Sequence, residues 1–272
     1  MISILCEAIM LTLTIFNIIL LIIISGLLVL VRKTVKGEIG QRILLLSSAL
    51  VTILFHYSSF IFLCISGGDA IEYLWETPNL ILPIYPCNVV MWSALILALI
   101  KDKNSRSARL FYDYVFWFGI LSTLVGMFAN VDFIRNPTLK DYEITKSIVA
   151  HATLLFNVLL LPLFGRVRFR FLGNMINMAI SVFAMFVIGH YCNLVFRVLV
   201  SDEKAYDVNS MFLIHSPFDG VSFMIYPVIA GIGLLLYCAL FLALDTVKIR
   251  KGERFVDKVY TWFENIKKQS TM

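Results

Sequence analysis

The chain has 272 residues, of which 60% are hydrophobic and 14% aromatic, and its mean hydropathy is +0.86. That balance excludes a soluble globular domain, in which apolar residues make up roughly 45–50%. The net charge of +5 reads as membrane topology rather than as a nucleic-acid footprint, because its lysines and arginines fall between apolar runs.

Seven runs have about the length a bilayer core requires, roughly 20 residues each. They lie at residues 5–31, 43–66, 80–100, 110–130, 145–164, 171–199 and 222–244. Their spacing predicts an all-α polytopic membrane protein, a seven-transmembrane-helix bundle over residues 1–247, with a basic amphipathic tail over 248–272. The first run is no cleavable signal peptide, since it lacks a basic n-region and Arg32-Lys33 follow it. Alternate connections and the tail carry 18 of the Lys and Arg residues, the opposite connections only 5. The positive-inside rule therefore predicts an outer N-terminus and a cytoplasmic C-terminus.

In chain order, the first run carries Glu7 near its outer end, read as a carboxylate reaching headgroup water. The second holds His56 and Cys64 and leads to an acidic loop with Asp69, Glu72 and Glu76. The third, LILPIYPCNVVMWSALILALI, is unlike the rest. Pro83 and Pro86 withhold backbone donors and disturb its first turns, and Cys87-Asn88 follow directly.

The fourth run begins with Tyr112-Asp113-Tyr114, contains Gly119 and Gly126, and ends at Asn130-Val131-Asp132. The fifth carries His151, Asn157 and Pro162. The sixth carries Asn174 and Asn177 in one half, and His190, Cys192 and Asn193 in the other. Residues 201–220 start polar, pass through Asn209 and an apolar patch, and reach His215-Ser216-Pro217. That pattern predicts a loop dipping back over the bundle, which irregular backbone can do only when covered by protein. From Arg254 to Lys268, Phe255, Val259, Trp262, Phe263 and Ile266 share one side, so the tail should lie on the inner membrane surface.

Counting the helical rise from the outer ends puts Cys87, His151 and Asn193 roughly 9–11 Å deep, His190 about 13 Å and His56 about 15 Å. All four histidines fall in or just above the outer half of the membrane. Polar groups in lipid face a bundle interior or a wet cavity. The expected outer pocket therefore comprises His56, Asn88, His190, Asn193, Asn209 and His215, with Asp132 at the end of the fourth run.

The cores of the second, third, fifth and seventh runs, and of the sixth up to Arg197, lack the carboxylates on which ion exchangers and many divalent-metal sites rely, which leaves His-only ligation open. The five cysteines show no CxxC spacing, so neither a disulfide framework, a metal nor a cofactor is expected. Cysteine, histidine and asparagine remain, a set suited to acyl transfer. Cys87 would be the nucleophile and His151 its base, with His190 second; Asn88 or Asn193 would steady the oxyanion. The competing reading is a non-enzymatic carrier or binding protein for a lipid or small solute, using the same pocket. A seven-helix receptor ranks last, because the third run ends ALIKDKNSRS without an acidic-Arg-aromatic triplet and the seventh lacks Asn-Pro-x-x-Tyr.

The stretch LPIYPCNVVMWSALILAL resembles the Leu-Pro…Cys span of the YwaF-type integral membrane proteins and their animal relatives of the transmembrane protein 164 kind. FWFGILSTLVGMFANVD, the span opening around His151, and NSMFLIHSP with Asn209, Phe212, Leu213 and Pro217 are similar as well. The resemblance covers about residues 43–244. It implies a Cys/His-dependent enzyme moving fatty acyl chains between glycerophospholipids, with Cys87 at the family cysteine and His151 at the family histidine. Membrane lipids would be its partners, and a bacterial cytoplasmic membrane its location.

Overall fold

The computed structural model describes residues 2–128, 138–167, 169–199, 208–213 and 226–270. Among them the regular structure is helical throughout: α1 (Ile2–Thr34), α2 (Glu38–Ser66), α3 (Ala70–Glu76), α4 (Pro86–Leu99), α5 (Arg106–Phe128), α6 (Tyr142–Leu163), α7 (Phe171–Leu199), α8 (Tyr226–Lys248) and α9 (Phe255–Ser270), with 3-10 turns at Pro78–Leu80 and Ser210–Phe212. Within the described residues, five helices are long and apolar enough to cross a membrane: Leu11–Thr34, Glu38–Ser66, Arg106–Phe128, Tyr142–Leu163 and Phe171–Val198.

Helix α4 is the departure. The sequence offers one apolar run over 80–100, but only 14 residues form α4, about 21 Å at the helical rise and short of a ~30 Å hydrocarbon core. Proline is the cause. Pro78 opens a 3-10 turn, and Pro86 sits at the first helical position, where its missing N–H costs nothing. Between them the chain runs non-helical from 81 to 85.

Other ends follow ordinary capping. α2 stops at Gly67, which takes the left-handed conformation (φ 75°). The Asp69 carboxylate accepts from the N–H groups of Ile71 and Glu72 and starts α3. Asp141 does the same for α6 through Glu143 N–H at 2.9 Å. Gly165 (φ 67°) lets the chain turn after α6.

α6 is the centre of the bundle. It packs on α1, α2, α4 and α5, and Ile148, Val158, Leu160 and Leu161 on it are fully buried. Side chains fix its register against α2: the Asn157 amide donates to Leu45 O (2.8 Å) and Ser48 Oγ (2.6 Å), and Thr52 Oγ1 donates to Thr153 Oγ1 at 3.0 Å. Such bonds act as glue where hydrophobic burial gives no driving force between helices. Against α5 the fit is steric, since Gly119 lies against Val158 of α6 and Val90 of α4, leaving no room for a Cβ.

At one end, here the basic end, three connections are tied together. Arg166, after α6, is paired with Glu38 at the start of α2, and Glu38 also receives Lys103 at 2.6 Å. The Arg166 side chain is only 1% exposed and also lies over the Tyr112 ring. Glu38→Ala will therefore strand a buried guanidinium whose Nε already lacks a partner. A loss of about 1–3 kcal/mol is expected, measured as a lower midpoint in a reversible SDS titration; an unchanged midpoint contradicts this role.

Candidate functional site

The far end of the bundle, where α2 ends and α4 and α6 begin, gathers most of the chemically competent side chains. Tyr85 and Asn88 form a capping box at the start of α4, the Asn88 Oδ1 accepting from Tyr85 N–H at 3.2 Å. The other end of that amide approaches His56 of α2, with Asn88 Nδ2 3.5 Å from His56 Nε2. The same ring nitrogen stands 3.3 Å from Asn79 O. One nitrogen cannot donate to a carbonyl and accept from an amide at once. His56 therefore chooses between Asn79 and Asn88, and the choice sets its tautomer.

Cys87 stands in the first turn of α4, half-buried. It shares a stripe with Met91, Ala94 and Ala98, which are all in the core, so it faces the interior that α4 makes with α5 and α6. Cys87 follows Pro86 at the start of the helix, and the Asn88 N–H beside it already bonds to Tyr85 O at 3.0 Å. The positive end of a helix favours negative charge on a nearby sulfur or oxygen.

His151 of α6 bonds back along its own helix, Nδ1 lying 2.7 Å from Ser147 O. A carbonyl only accepts, so Nδ1 carries the proton and Nε2 keeps its lone pair. The Nε2 edge rests on Gly126 of α5, where any Cβ would collide with the ring.

Relative depths follow from shared levels. Gly119, Val90 and Val158 meet at one level; from it Cys87 is three residues toward the far end and His151 seven, so His151 lies about 6 Å further out. Equal depth for the two, expected from counting along the spans, is thus replaced by a one-turn offset, because α4 starts late. No hydrogen bond joins Cys87 to His151 among the described contacts. His56 lies within electrostatic range of both His151 and Lys146. From the Thr52–Thr153 level the His56 backbone sits about 3 Å beyond that of His151, and its ring reaches the Asn88 amide.

The remaining residues go elsewhere. Asn193 is buried and holds the segment after α7 in place: its Oδ1 accepts from Ser210 N–H at 2.8 Å, and its Nδ2 reaches Ser210 O at 3.5 Å. Ser210 Oγ and Met211 N–H then both donate to Ile84 O, at 3.0 and 2.8 Å. Residues 208–213 thus lie between α7 and the entry to α4, with Asn209 at the start of the 3-10 turn. His190 has the right depth but the wrong face: it is exposed, edge-on to Phe186 one turn earlier. His215 and Asp132 lie outside the described residues. No group of three or more His, Cys, Asp or Glu that could hold a metal ion occurs among the described residues.

Two polar pairs escaped the sequence reading. Asp113, buried in α5, receives the Asn177 amide of α7 at 2.6 Å. Asp245 near the end of α8 is buried, and its two oxygens accept from Phe171 N–H (3.1 Å) and Phe255 N–H (2.7 Å). An acid directly after the seventh apolar run was the available signal for Asp245.

Taken together, these features define a polytopic, all-helical membrane protein with half-buried cysteine and histidine side chains and a buried asparagine at one end of the bundle. A family model described as the TMEM164 family matches residues 6–245, and the chain belongs to that family. Neither a curated protein nor a solved structure gives a match.

Proposed function

We propose that this protein is a membrane-embedded acyltransferase that moves fatty acyl groups between glycerolipids through a thioester on Cys87. The observation that carries the reading is the placement of Cys87 in the first turn of α4, at the positive end of that helix. That end favours negative charge on a thiolate, and then on the oxyanion of a tetrahedral intermediate. His151 is the base. Its anchored Nδ1 leaves Nε2 unprotonated, and one bridging water or the substrate hydroxyl spans the one-turn offset to the sulfur.

The chemistry balances in two halves. The thiol proton passes to His151 Nε2 as sulfur attacks the donor ester; the C–S bond forms, the C–O bond breaks, and the leaving lysolipid oxygen takes the proton back. In the second half His151 removes the proton of the acceptor lysolipid hydroxyl, which attacks the thioester and frees the thiol. Asn88 holds the first turn of α4 in shape and fixes His56 beside it. We read the bundle as seven-spanning, with α4 and α8 completing the five longer spans. The distribution of Lys and Arg supports an outer N-terminus and a cytoplasmic C-terminus, and the YwaF-type resemblance supports a bacterial cytoplasmic membrane.

The test is a transfer assay in vesicles containing a deuterated diacyl phospholipid and an unlabelled lysophospholipid. Deuterated acyl chains in the lysolipid-derived product are expected. Firm lipid binding with no product would favour the carrier reading. A second outcome concerns Gly126. Gly126→Ala pushes a methyl group into the His151 ring and will slow transfer about 10- to 100-fold without unfolding the protein. A wild-type rate in that variant contradicts the role given to His151.

A further inference from the structure

A cavity of ≈ 710 Å³ forms a groove between α4, α5 and α7, on the face of α4 turned away from Cys87. It runs from Ile100 and Ser105 to Val89, and along α7 from Asn177 to Ile188. Each path takes eleven residue-to-residue steps, about 16 Å of helical rise and close to half of a ~30 Å bilayer core. Its length is that of one leaflet. Its walls are mainly apolar, with Phe111, Ile180, Ala184 and Ile188 prominent.

The polar groups along the walls are already satisfied. Asn177 bonds to Asp113, the Ser181 hydroxyl donates to Asn177 O, and the Tyr114 hydroxyl meets Ser93 and Met185 Sδ. The walls therefore ask nothing of an occupant beyond apolar contact. The mouth differs. Ser105 and Ser107 line it with Arg106 between them in the chain, and Lys101 follows Ile100. These two cations carry no ion pair among the described residues, whereas Lys103 and Arg166 are engaged by Glu38.

We propose that this groove binds one anionic glycerophospholipid from the leaflet at the basic end, one acyl chain lying between α5 and α7 and the phosphate at the mouth near Lys101 and Arg106. The site is separate from Cys87, and its occupancy does not depend on acyl transfer. It would hold the short helix α4 against α5 and α7 where protein contacts alone leave a gap.

The experiment uses the full chain, delipidated in detergent, and phosphatidylglycerol carrying a diazirine on one acyl chain, with cross-linked peptides mapped by mass spectrometry. Label is expected on peptides containing Phe111, Ile180 or Ile188. Lys101→Gln with Arg106→Gln should weaken labelling about 10- to 30-fold, and phosphatidylcholine or a free fatty acid with the same diazirine chain should label at least about 10-fold less. Ala184→Trp should fill the groove and abolish the label. Label confined to other helices, or equal labelling by the zwitterionic lipid or the fatty acid, overturns the proposal. These two readouts decide the matter even where Ala184→Trp fails to fold.

Discussion

Cys87→Ala and His151→Ala will each lower acyl transfer by about 10³-fold or more, and the double variant will lose no more than either single one. The reasoning is that a nucleophile and its base act as one unit. Without the imidazole, a half-buried thiol has no nearby group to take its proton; without the thiol, the imidazole has nothing to activate. Cys87→Ser should be nearly as poor, because an alkoxide is far harder to form than a thiolate at the positive end of α4. His56→Ala serves as the contrast. His56 touches Asn79 O and the Asn88 amide, so its loss should slow transfer much less than loss of His151. Independent, multiplicative losses in the Cys87/His151 cycle, or a His56 variant worse than the His151 variant, would move the base from α6 to α2.

The second large effect falls on stability. Asp245→Ala removes the acceptors for the first N–H groups of both α7 and α9. Losing a helix cap costs about 0.5–2 kcal/mol, and here one carboxylate serves two, so a loss of about 1–4 kcal/mol is expected. Asp245→Asn keeps a single acceptor oxygen and should lose about half as much. The local readout is proteolysis: with its cap gone and the Phe171–Phe255 ring contact (4.4 Å) loosened, α9 should detach. Trypsin should then cut faster at Arg250, Lys251 and Arg254. Wild-type SDS-titration midpoints and cleavage rates in Asp245→Ala would contradict this account.

How much of this was legible beforehand depends on the physics involved. Composition and run length announce a helical membrane protein because lipid admits few alternatives. The broken start of the third run was readable from Pro83 and Pro86, since a missing N–H and a fixed φ act locally. Depth was partly readable: His56 and Asn88 do meet. Azimuth was not. His190, Cys192 and Asn193 lie within one turn of α7, yet His190 is exposed while the other two are buried. A helix apolar all round gives no stripe by which to tell its faces. Pairings across the chain, such as Asn193 with Ser210 or Asp245 with two distant N–H groups, were hidden for another reason. Each depends on where separate helices end, and nothing in either segment alone records the other.

The central claim is that Cys87 carries an acyl group, and intact-protein mass spectrometry tests it most directly. Purified protein would be incubated with mixed phospholipids, then weighed before and after hydroxylamine. The account predicts a fatty acyl adduct that maps to Cys87, is released by hydroxylamine, and is missing in His151→Ala. Unmodified Cys87 in protein shown to be folded and lipid-bound would contradict it and leave the carrier reading in its place.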